Sequence, residues 1–185
     1  MTLAIKVLIF TIVTLALFYI SRRSLINPRS HGFYRFFAWE AILVLILMNF
    51  RYWFENPVTP RQLISWTLLL ISLYLIVRGL YNLLAMGKPS KRRPDNTLFD
   101  LEKTTVLTRT GPFKYIRHPI YSSLLFLTWG TYLKSPSGPG VALALVATGL
   151  LIATAKVEER ENIRFFGDQY RDYMRETKNF IPFIF

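Results

Sequence analysis

The chain has 185 residues, of which 52% are hydrophobic, 16% aromatic and only 18% charged, against roughly 25% charged residues in a typical soluble domain. One water-bounded core of this size cannot bury so much apolar surface, so the composition predicts an integral membrane protein. The net charge of +12 is distributed between apolar runs, which argues against nucleic-acid binding. The absence of cysteine excludes zinc–thiolate sites, and the presence of only two histidines disfavours a metal centre.

Five apolar runs predict membrane-spanning helices, since about 20 apolar residues cross a bilayer. The runs are Leu3–Ile20, about Phe36 to Phe54, Leu63–Met86, Tyr121–Leu133 and Val141–Ala155. Glu40 lies near the start of the second run. Turn-forming residues at 135–140 join the last two runs and predict a short helical hairpin. The fifth run is only about 22 Å long, so it either ends short of one leaflet or extends into the polar region through flanking residues. The predicted fold class is all-α, with about five transmembrane helices.

The distribution of basic residues predicts the orientation of these spans. The segments 21–35, 87–119 and 156–185 contain 18 of the 23 Lys and Arg residues, whereas the opposite connections contain 4. The positive-inside rule then predicts an amino terminus outside and a carboxyl terminus in the cytoplasm. The first run lacks a preceding basic region and a clear cleavage site, which favours a retained anchor. The basic linker 87–100 is interpreted as an anchor against anionic lipid.

A first candidate site lies just before the fourth run. Pro119 predicts a helix start, because proline fits the first helical turn. His118 then lies beside the free amides and the positive dipole end of that helix, where an anionic group can bind. Gly111 and Pro112 interrupt the chain before it and would let the backbone approach a ligand closely. The β-branched segment Thr105–Thr108 is suited to line a cleft.

The same stretch also allows a purely structural interpretation. In that alternative it is an interfacial hinge, with Arg117 on lipid phosphate, Tyr115 and Tyr121 in an aromatic belt, and His118 as a simple helix cap.

A second candidate site begins at Lys156, where the fifth run ends. Adjacent helical residues point about 100° apart, so Glu158 and Glu159 are not expected to face one target. Glu158 is predicted to point inward and Glu159 to meet Lys156 or water. Residues 156–178 carry six acids and six bases around apolar residues at helical spacing, which predicts a cytoplasmic amphipathic helix. The alternative is a solvated helix with ion pairs Glu161–Arg164, Arg164–Asp168 and Asp172–Arg175.

The two candidate sites are expected to meet. The helical hairpin returns the chain near its start, so His118 and Glu158 can approach one another although they are 40 residues apart. A cleft between them at the bilayer surface could hold a water-soluble cofactor and stay open to a lipophilic substrate from the lipid. The apolar residues 180–185 are predicted to dock on protein or membrane.

The last part of the chain also contains an ordered set of short motifs. They are Gly111-x-Phe113-x-x-x-Arg117-His118-Pro119-x-Tyr121, Glu158-Glu159, Phe166-Gly167-Asp168-x-Tyr170-x-x-Tyr173 and Ile181-Pro182. With these spacings, residues from about 100 to 185 resemble the isoprenylcysteine carboxyl methyltransferase family, and the related phospholipid N-methyltransferases share much of the pattern.

The resemblance implies binding of S-adenosylmethionine at the cytoplasmic membrane surface and methyl transfer to a lipophilic or lipidated acceptor, without a metal. The chain is predicted to be one membrane domain, with the three spans of residues 1–86 given by the apolar runs and a cofactor-binding region in residues 87–185 implied by the resemblance. Carried over by position, the cofactor contacts are Thr105, Val106, Leu107, Thr108, Phe113, His118, Pro119, Ile120, Tyr121 and Glu158. The groups to test for catalytic roles are Tyr121, Glu158 and Glu159.

One position departs from the isoprenylcysteine pattern. Those enzymes carry an arginine four residues before the first glutamate, implied to steer the substrate carboxylate, and here that position is Thr154. This disfavours a prenylcysteine carboxylate and leaves a lipid amine or another small lipophilic acceptor open. Sterol reductases share an Arg-His-Pro-x-Tyr element but bind NADPH, and a non-catalytic membrane scaffold would bind no cofactor, so these remain the alternatives.

Overall fold

The computed structural model describes residues 1–90 and 98–182, and these residues form six α-helices without a β-strand. The helices are α1 (Leu3–Leu25), α2 (His31–Asn49), α3 (Pro60–Met86), α4 (Pro119–Tyr132), α5 (Gly138–Phe166) and α6 (Asp168–Glu176). Short 3₁₀ turns lie at Phe50–Tyr52, Asp100–Glu102 and Gly111–Lys114. The all-α membrane fold predicted from the sequence is confirmed.

Within the described ranges, four helical segments are long and apolar enough to cross a membrane: α1, α2 with its following 3₁₀ turn, α3 and α5. The predicted fourth span corresponds to α4, which has 14 residues and is therefore about 21 Å long, short of a hydrocarbon core of about 30 Å. The predicted fifth span corresponds to α5, whose 29 residues extend about 43 Å. Of the two possibilities for the short fifth run, the structure has the extension through flanking residues, because the charged residues 156–166 continue the same helix.

The second helix begins earlier than its apolar run indicates. α2 starts at His31 rather than near Phe36 and ends at Asn49, so Glu40 lies at its middle instead of near its start. The hydroxyl of Thr14 on α1 donates to Glu40 Oε2 at 2.7 Å. The apolar run did not predict the first turn of α2, because the polar side chains of that turn are buried by ion pairing rather than by apolar packing.

Two helix pairs form the interior of the bundle: α2 packs on α5, and α3 packs on α4. Ala38 and Ala41 on α2 meet Ala147 and Leu151 on α5 in the core, and small residues let membrane helices approach closely. Hydroxyl groups of α3 donate to backbone carbonyls of α4, as in the 2.7 Å bond from Ser65 to Gly130 O. The exposed helix α1 packs mainly on α2.

The predicted single helix over residues 156–178 is divided in two. Gly167 has φ +61°, a backbone conformation that favours glycine, and it separates α5 from α6. After α6 the chain runs beside the segment before α4, with His118 N donating to Asn179 O at 3.1 Å. Phe180 is buried at 1% exposure. Residues 183–185 of the predicted apolar tail, and 91–97 of the predicted basic linker, lie outside the described residues.

Candidate active site

A cavity lies where the start of α4, the second half of α5, α6 and the irregular segment 102–113 meet. Eight of the predicted site residues line it: Leu107, Thr108, Phe113, His118, Pro119, Ile120, Tyr121 and Glu158. Further lining comes from Leu83, Glu102, Thr104, Arg117, Asn162, Phe166, Tyr170 and Tyr173. The two candidate sites of the sequence therefore meet in one cavity.

His118 lies between the two adjacent glutamates of α5. Its Nδ1 is 3.5 Å from Glu158 Oε2 and its Nε2 is 3.4 Å from Glu159 Oε1. The expectation that the two glutamates face different targets was wrong, because the two nitrogens of one imidazole ring reach both carboxylates. Burial opposes a charge on His118, but hydrogen bonding and attraction by Glu158 and Glu159 outweigh it and raise the pKa of His118.

Arg117 fixes the end of the described chain. Its side chain is 8% exposed, and Nε lies 2.7 Å from Glu159 Oε1. The same guanidinium donates to the carbonyl oxygens of Met174 and Thr177 and to the side chain of Asn179. The alternative that placed Arg117 on lipid phosphate was wrong, since its donors are directed to the protein interior. Tyr121, placed by the same alternative in an aromatic belt, is buried at 5% exposure.

Gly111 is required by a contact with α3. It has φ +58°, and a Cβ atom at this position would lie 1.8 Å from the side-chain nitrogen of Asn82. That nitrogen donates to the carbonyl oxygen of Thr110 at 3.1 Å. The close backbone approach expected at Gly111 is therefore an approach to Asn82, and it orients the following segment toward the cavity.

One wall of the cavity offers a hydroxyl and several aromatic rings. Thr108 Oγ1 is buried and has no hydrogen-bond partner among the described residues, so it is free to bond a ligand. Phe166 and Tyr170 stack with ring centroids 6.5 Å apart. The hydroxyl of Tyr173 donates to Phe113 O at 2.7 Å, which holds the Phe113 turn against α6. Such rings suit a planar, partly apolar ligand group.

Three predicted site residues lie outside the lining. The Thr105 hydroxyl donates to Lys88 O at 2.9 Å, and Val106 is 44% exposed. Glu159 contacts Arg117 and His118 from behind the cavity wall. Glu159 therefore holds the His118 side chain rather than contacting the cavity.

Several lining residues were missed by sequence reasoning. Asn162 and Phe166 follow Glu158 at intervals of four, so their helical phase could have placed them on the same face. Glu102 carried no such signal, because it lies in an irregular segment. Among the described residues, no group of three histidine, aspartate or glutamate side chains is placed to hold a metal ion.

The sequence profile of the phospholipid methyltransferase family matches residues 60–169, which is more than half of the chain. The chain belongs to this family. The matched range begins at the start of α3 and includes the residues from Glu102 to Phe166 that surround the cavity.

Curated relatives carry the name methanethiol S-methyltransferase. The protein from Mycobacterium tuberculosis is 33% identical over 70 residues, covering 38% of this chain and 28% of the relative. The proteins from Crocosphaera subtropica and Pseudomonas deceptionensis are 25% and 26% identical over 123 residues, covering 65% and 64% of this chain and 44% and 42% of the relatives. The chain thus spans less than half the length of these relatives. No solved structure matches the chain.

Proposed function

We propose that the protein transfers a methyl group from S-adenosylmethionine to a small lipophilic acceptor. The observation that carries this proposal is the cavity in which His118 and Glu158 approach within 3.5 Å. Both residues lie in the range matched by the phospholipid methyltransferase family. Family membership also favours methyl transfer over the reductase and scaffold alternatives.

The cavity fits the chemistry of this donor. The unpartnered Thr108 hydroxyl and the Glu158 carboxylate can bond hydroxyl and amino groups, and the Phe166 and Tyr170 rings can pack on adenine. The first turn of α4, after Pro119, provides free backbone amides for the donor's carboxylate. When bound, the donor supplies a methyl group that its sulfonium already activates.

The contribution of the chain is then mainly to position the reactants in a site with little water. Both ring nitrogens of His118 lie beside carboxylates, 3.5 Å from Glu158 Oε2 and 3.4 Å from Glu159 Oε1, and these carboxylates raise the pKa of His118. We therefore do not assign His118 as the base. We assign it to hold the Glu158 carboxylate in place and to provide positive charge beside the acceptor. Glu159 and Arg117 hold His118 and the chain end that packs on it.

The acceptor is a neutral nucleophile rather than a carboxylate. Thr154, at the position of the substrate-steering arginine, is fully buried and donates its hydroxyl to Leu150 O at 2.7 Å. The cations of the described lining, Arg117 and His118, are already paired with Glu158 or Glu159. Because the curated relatives are named for a thiol substrate, we propose a small thiol as acceptor. Its sulfur gains the methyl group, its proton passes to water, and the donor leaves as a neutral thioether.

Donor binding requires the cavity to widen. Its volume is about 80 Å³, whereas pockets for ligands of this size hold roughly 300 Å³ or more. The segment 104–108 forms one wall of the cavity through Thr104, Leu107 and Thr108. It is joined to the end of α3 by backbone bonds from the amides of Thr105 and Val106 to Gly87 O, of 3.0 and 3.1 Å. We expect this wall to move outward when the donor enters, on what we infer from the basic segments to be the cytoplasmic side.

The test is transfer of a radiolabelled methyl group by the purified full chain in lipid nanodiscs. The acceptors are methanethiol, a longer alkanethiol, an ethanolamine phospholipid and a prenylcysteine analogue. We expect labelled thioether from a thiol, and loss of it in Glu158→Gln but not in the surface control Asp172→Asn. Labelled phospholipid would instead identify an amine acceptor. Binding of NADPH without binding of S-adenosylmethionine would overturn the proposal.

A further inference from the structure

A second carboxylate, that of Glu102, faces the cavity and does not belong to the motifs found in the sequence. Glu102 lies in the 3₁₀ turn Asp100–Glu102, its side chain is 18% exposed, and it lines the same cavity as Glu158. The two carboxylates come from separate segments, one from the turn and one from α5. Burial opposes ionisation of Glu102, but Arg35 and His31 outweigh it and hold the pKa of Glu102 below its usual value.

Glu102 is held in place by the start of α2. Arg35 Nη1 forms an ion pair with Glu102 Oε1, and His31 Nε2 lies 3.5 Å from Oε2. The backbone amide of Phe99 donates to Oε2 at 3.0 Å. The other ring nitrogen of His31 lies 2.6 Å from Glu161 Oε2 on α5. The turn, α2 and α5 are thus joined by one set of charged contacts.

Arg35 is itself immobilised. Its side chain is 2% exposed, and the guanidinium carbon lies 4.1 Å from the ring centroid of Phe99 and 5.0 Å from that of Trp39. Cation–π contacts of a desolvated guanidinium are among the stronger ones. A cation fixed in this way determines the direction of the carboxylate that it binds. α2 lies outside the range matched by the family.

The carboxylates that face the cavity keep acceptor capacity beyond their ion pairs, because a carboxylate has about four acceptor sites and Glu102 uses three of them, for Arg35, His31 and the Phe99 amide. Arg117 directs its donors to Glu159 and to the chain end, and His118 lies between two carboxylates. Glu102 has two oxygens and Glu158 two more, and together they can accept further hydrogen bonds from a ligand.

We propose that Glu102 binds a positively charged amino or sulfonium group in the cavity, and that Arg35 and His31 are positioning residues that hold its carboxylate there. This inference rests on the proposed methyl transfer, in which the donor carries both an ammonium and a sulfonium. An amine acceptor would present the same chemistry, so the experiment has to separate the two sources.

The experiment is calorimetric titration of the full chain in nanodiscs with three ligands. S-adenosylmethionine and sinefungin carry a positive charge at the methyl-transfer position, whereas S-adenosylhomocysteine is neutral there, and all three carry the ammonium. The variant is Glu102→Gln, and the matched control is Asp100→Asn, an exposed carboxylate of the same turn. We expect Glu102→Gln to weaken S-adenosylmethionine about tenfold or more, and Asp100→Asn less than twofold.

The pattern across the ligands shows what Glu102 contacts. An equal loss of affinity for all three ligands assigns Glu102 to the ammonium. A loss of affinity confined to S-adenosylmethionine and sinefungin assigns it to the sulfonium. Unchanged donor binding with a raised KM for an amine acceptor, but not for a thiol, assigns it to the acceptor. No change in any of these, in a variant that folds and whose wild type binds the donor, overturns the inference. If the wild type does not bind the donor, the proposed function fails first.

The positioning role of Arg35 needs its own readout. Arg35→Lys keeps the charge but loses the planar donor geometry, whereas Arg35→Met removes both. We expect donor affinity to fall in the order wild type, Arg35→Lys, Arg35→Met, with thermal unfolding measured alongside. Should Glu102→Gln fail to fold because it leaves Arg35 buried without a partner, the double variant Arg35→Met/Glu102→Gln removes the ion pair as a unit. Equal affinity in Arg35→Met and wild type would contradict the positioning role.

Discussion

The two ends of α4 both bury charged side chains, but they do so in different ways. Before the helix, His118 lies between Glu158 and Glu159 beside a cavity. After the helix, Lys134 is fully buried, with Nζ 3.5 Å from the ring centroid of Trp66 and 3.1 Å from Gln62 Oε1. Lys134 is enclosed by these groups, whereas the charges around His118 come from several segments and border the cavity.

The difference between the two ends distinguishes charged side chains that stabilise the fold from charged side chains that bind a ligand. At the Lys134 end, the indole face and the amide offset only part of the cost of burying the cation, so we expect its removal to change stability alone. At the His118 end, carboxylates and the Thr108 hydroxyl retain bonding capacity toward the cavity, so we expect changes there to alter ligand binding first. Arg117 is the exception at that end, because its donors all serve the protein.

The largest effect is expected from Arg117→Met. Removing this cation leaves Glu159 with His118 alone and two backbone carbonyls without their donor, and breaking a buried pair costs about 3–5 kcal/mol. Thermal or denaturant unfolding in detergent measures the loss. Arg171→Met, whose side chain is 59% exposed and pairs with Asp168 at 2.7 Å, should lose less than about 1 kcal/mol. Similar losses in both variants would show that Arg117 does not anchor the chain end.

The next effect is expected from Glu158→Gln. The variant keeps the shape but loses the charge, and we expect donor affinity to fall about 100-fold, since bonds to charged groups contribute about 1.5–3 kcal/mol. His118 keeps Glu159 as a partner, so the unfolding temperature should change little. Calorimetry and unfolding are measured on the same preparation. If Glu158→Gln unfolds easily but binds the donor normally, the charge of Glu158 stabilises the fold and does not bind the ligand.

Lys134→Met should give the opposite pattern. It removes the contacts with Trp66 and Gln62, and we expect a loss of about 1–2 kcal/mol of stability. Donor affinity should stay within twofold of wild type, because Lys134 lies at the other end of α4. Lys6→Met near the start of α1 serves as the control for loss of one positive charge. A fall in donor affinity specific to Lys134→Met would mean that the two ends are coupled.

The smallest effect is a pH dependence of opposite sign at the two ends. The pKa of His118 is raised above its usual 6.5, so its contribution to stability is fully present below about pH 6.5 and is lost as the pH rises. Burial lowers the pKa of Lys134 below its usual 10.5, so its contribution increases as the pH rises toward 10.5.

Unfolding temperatures between pH 6 and pH 10 provide the measurement. His118→Gln should flatten the decrease above pH 6.5, and Lys134→Met should remove the increase at the alkaline end. The same pH profile in His118→Gln and wild type would show that the imidazole gains nothing from its two carboxylates.

The fold was largely predictable because apolar runs and turn residues report local preferences directly. The α4–α5 hairpin and the helix start at Pro119 follow from such signals. The first turn of α2 did not, because His31 and Arg35 are polar by sequence and become buried only through Glu102 and Glu161. Contacts of this kind depend on segments far apart in the chain.

The candidate site was predictable to the extent that its residues lie on regular helices. Glu158 follows from helical phase, whereas the shared contact of Glu158 and Glu159 with His118 depends on how the imidazole lies across α5. The predicted pair Asp172–Arg175 is present at 3.2 Å, but Glu161 pairs with His31 at 2.6 Å instead of forming only a surface contact. A pattern of alternating charges along one helix does not show which charged residue forms an ion pair with another helix.

The pairing of the chain end with the segment before α4 has a consequence for biosynthesis. Ser122 donates to Phe180 O at 2.8 Å, and the Phe180 ring lies 5.9 Å from the His118 ring. The floor beneath the imidazole is therefore complete only after residue 180 has left the ribosome. The four segments that are long and apolar enough to cross a membrane all precede residue 180, so nascent chains should acquire the ability to capture ligand in a step that follows membrane insertion.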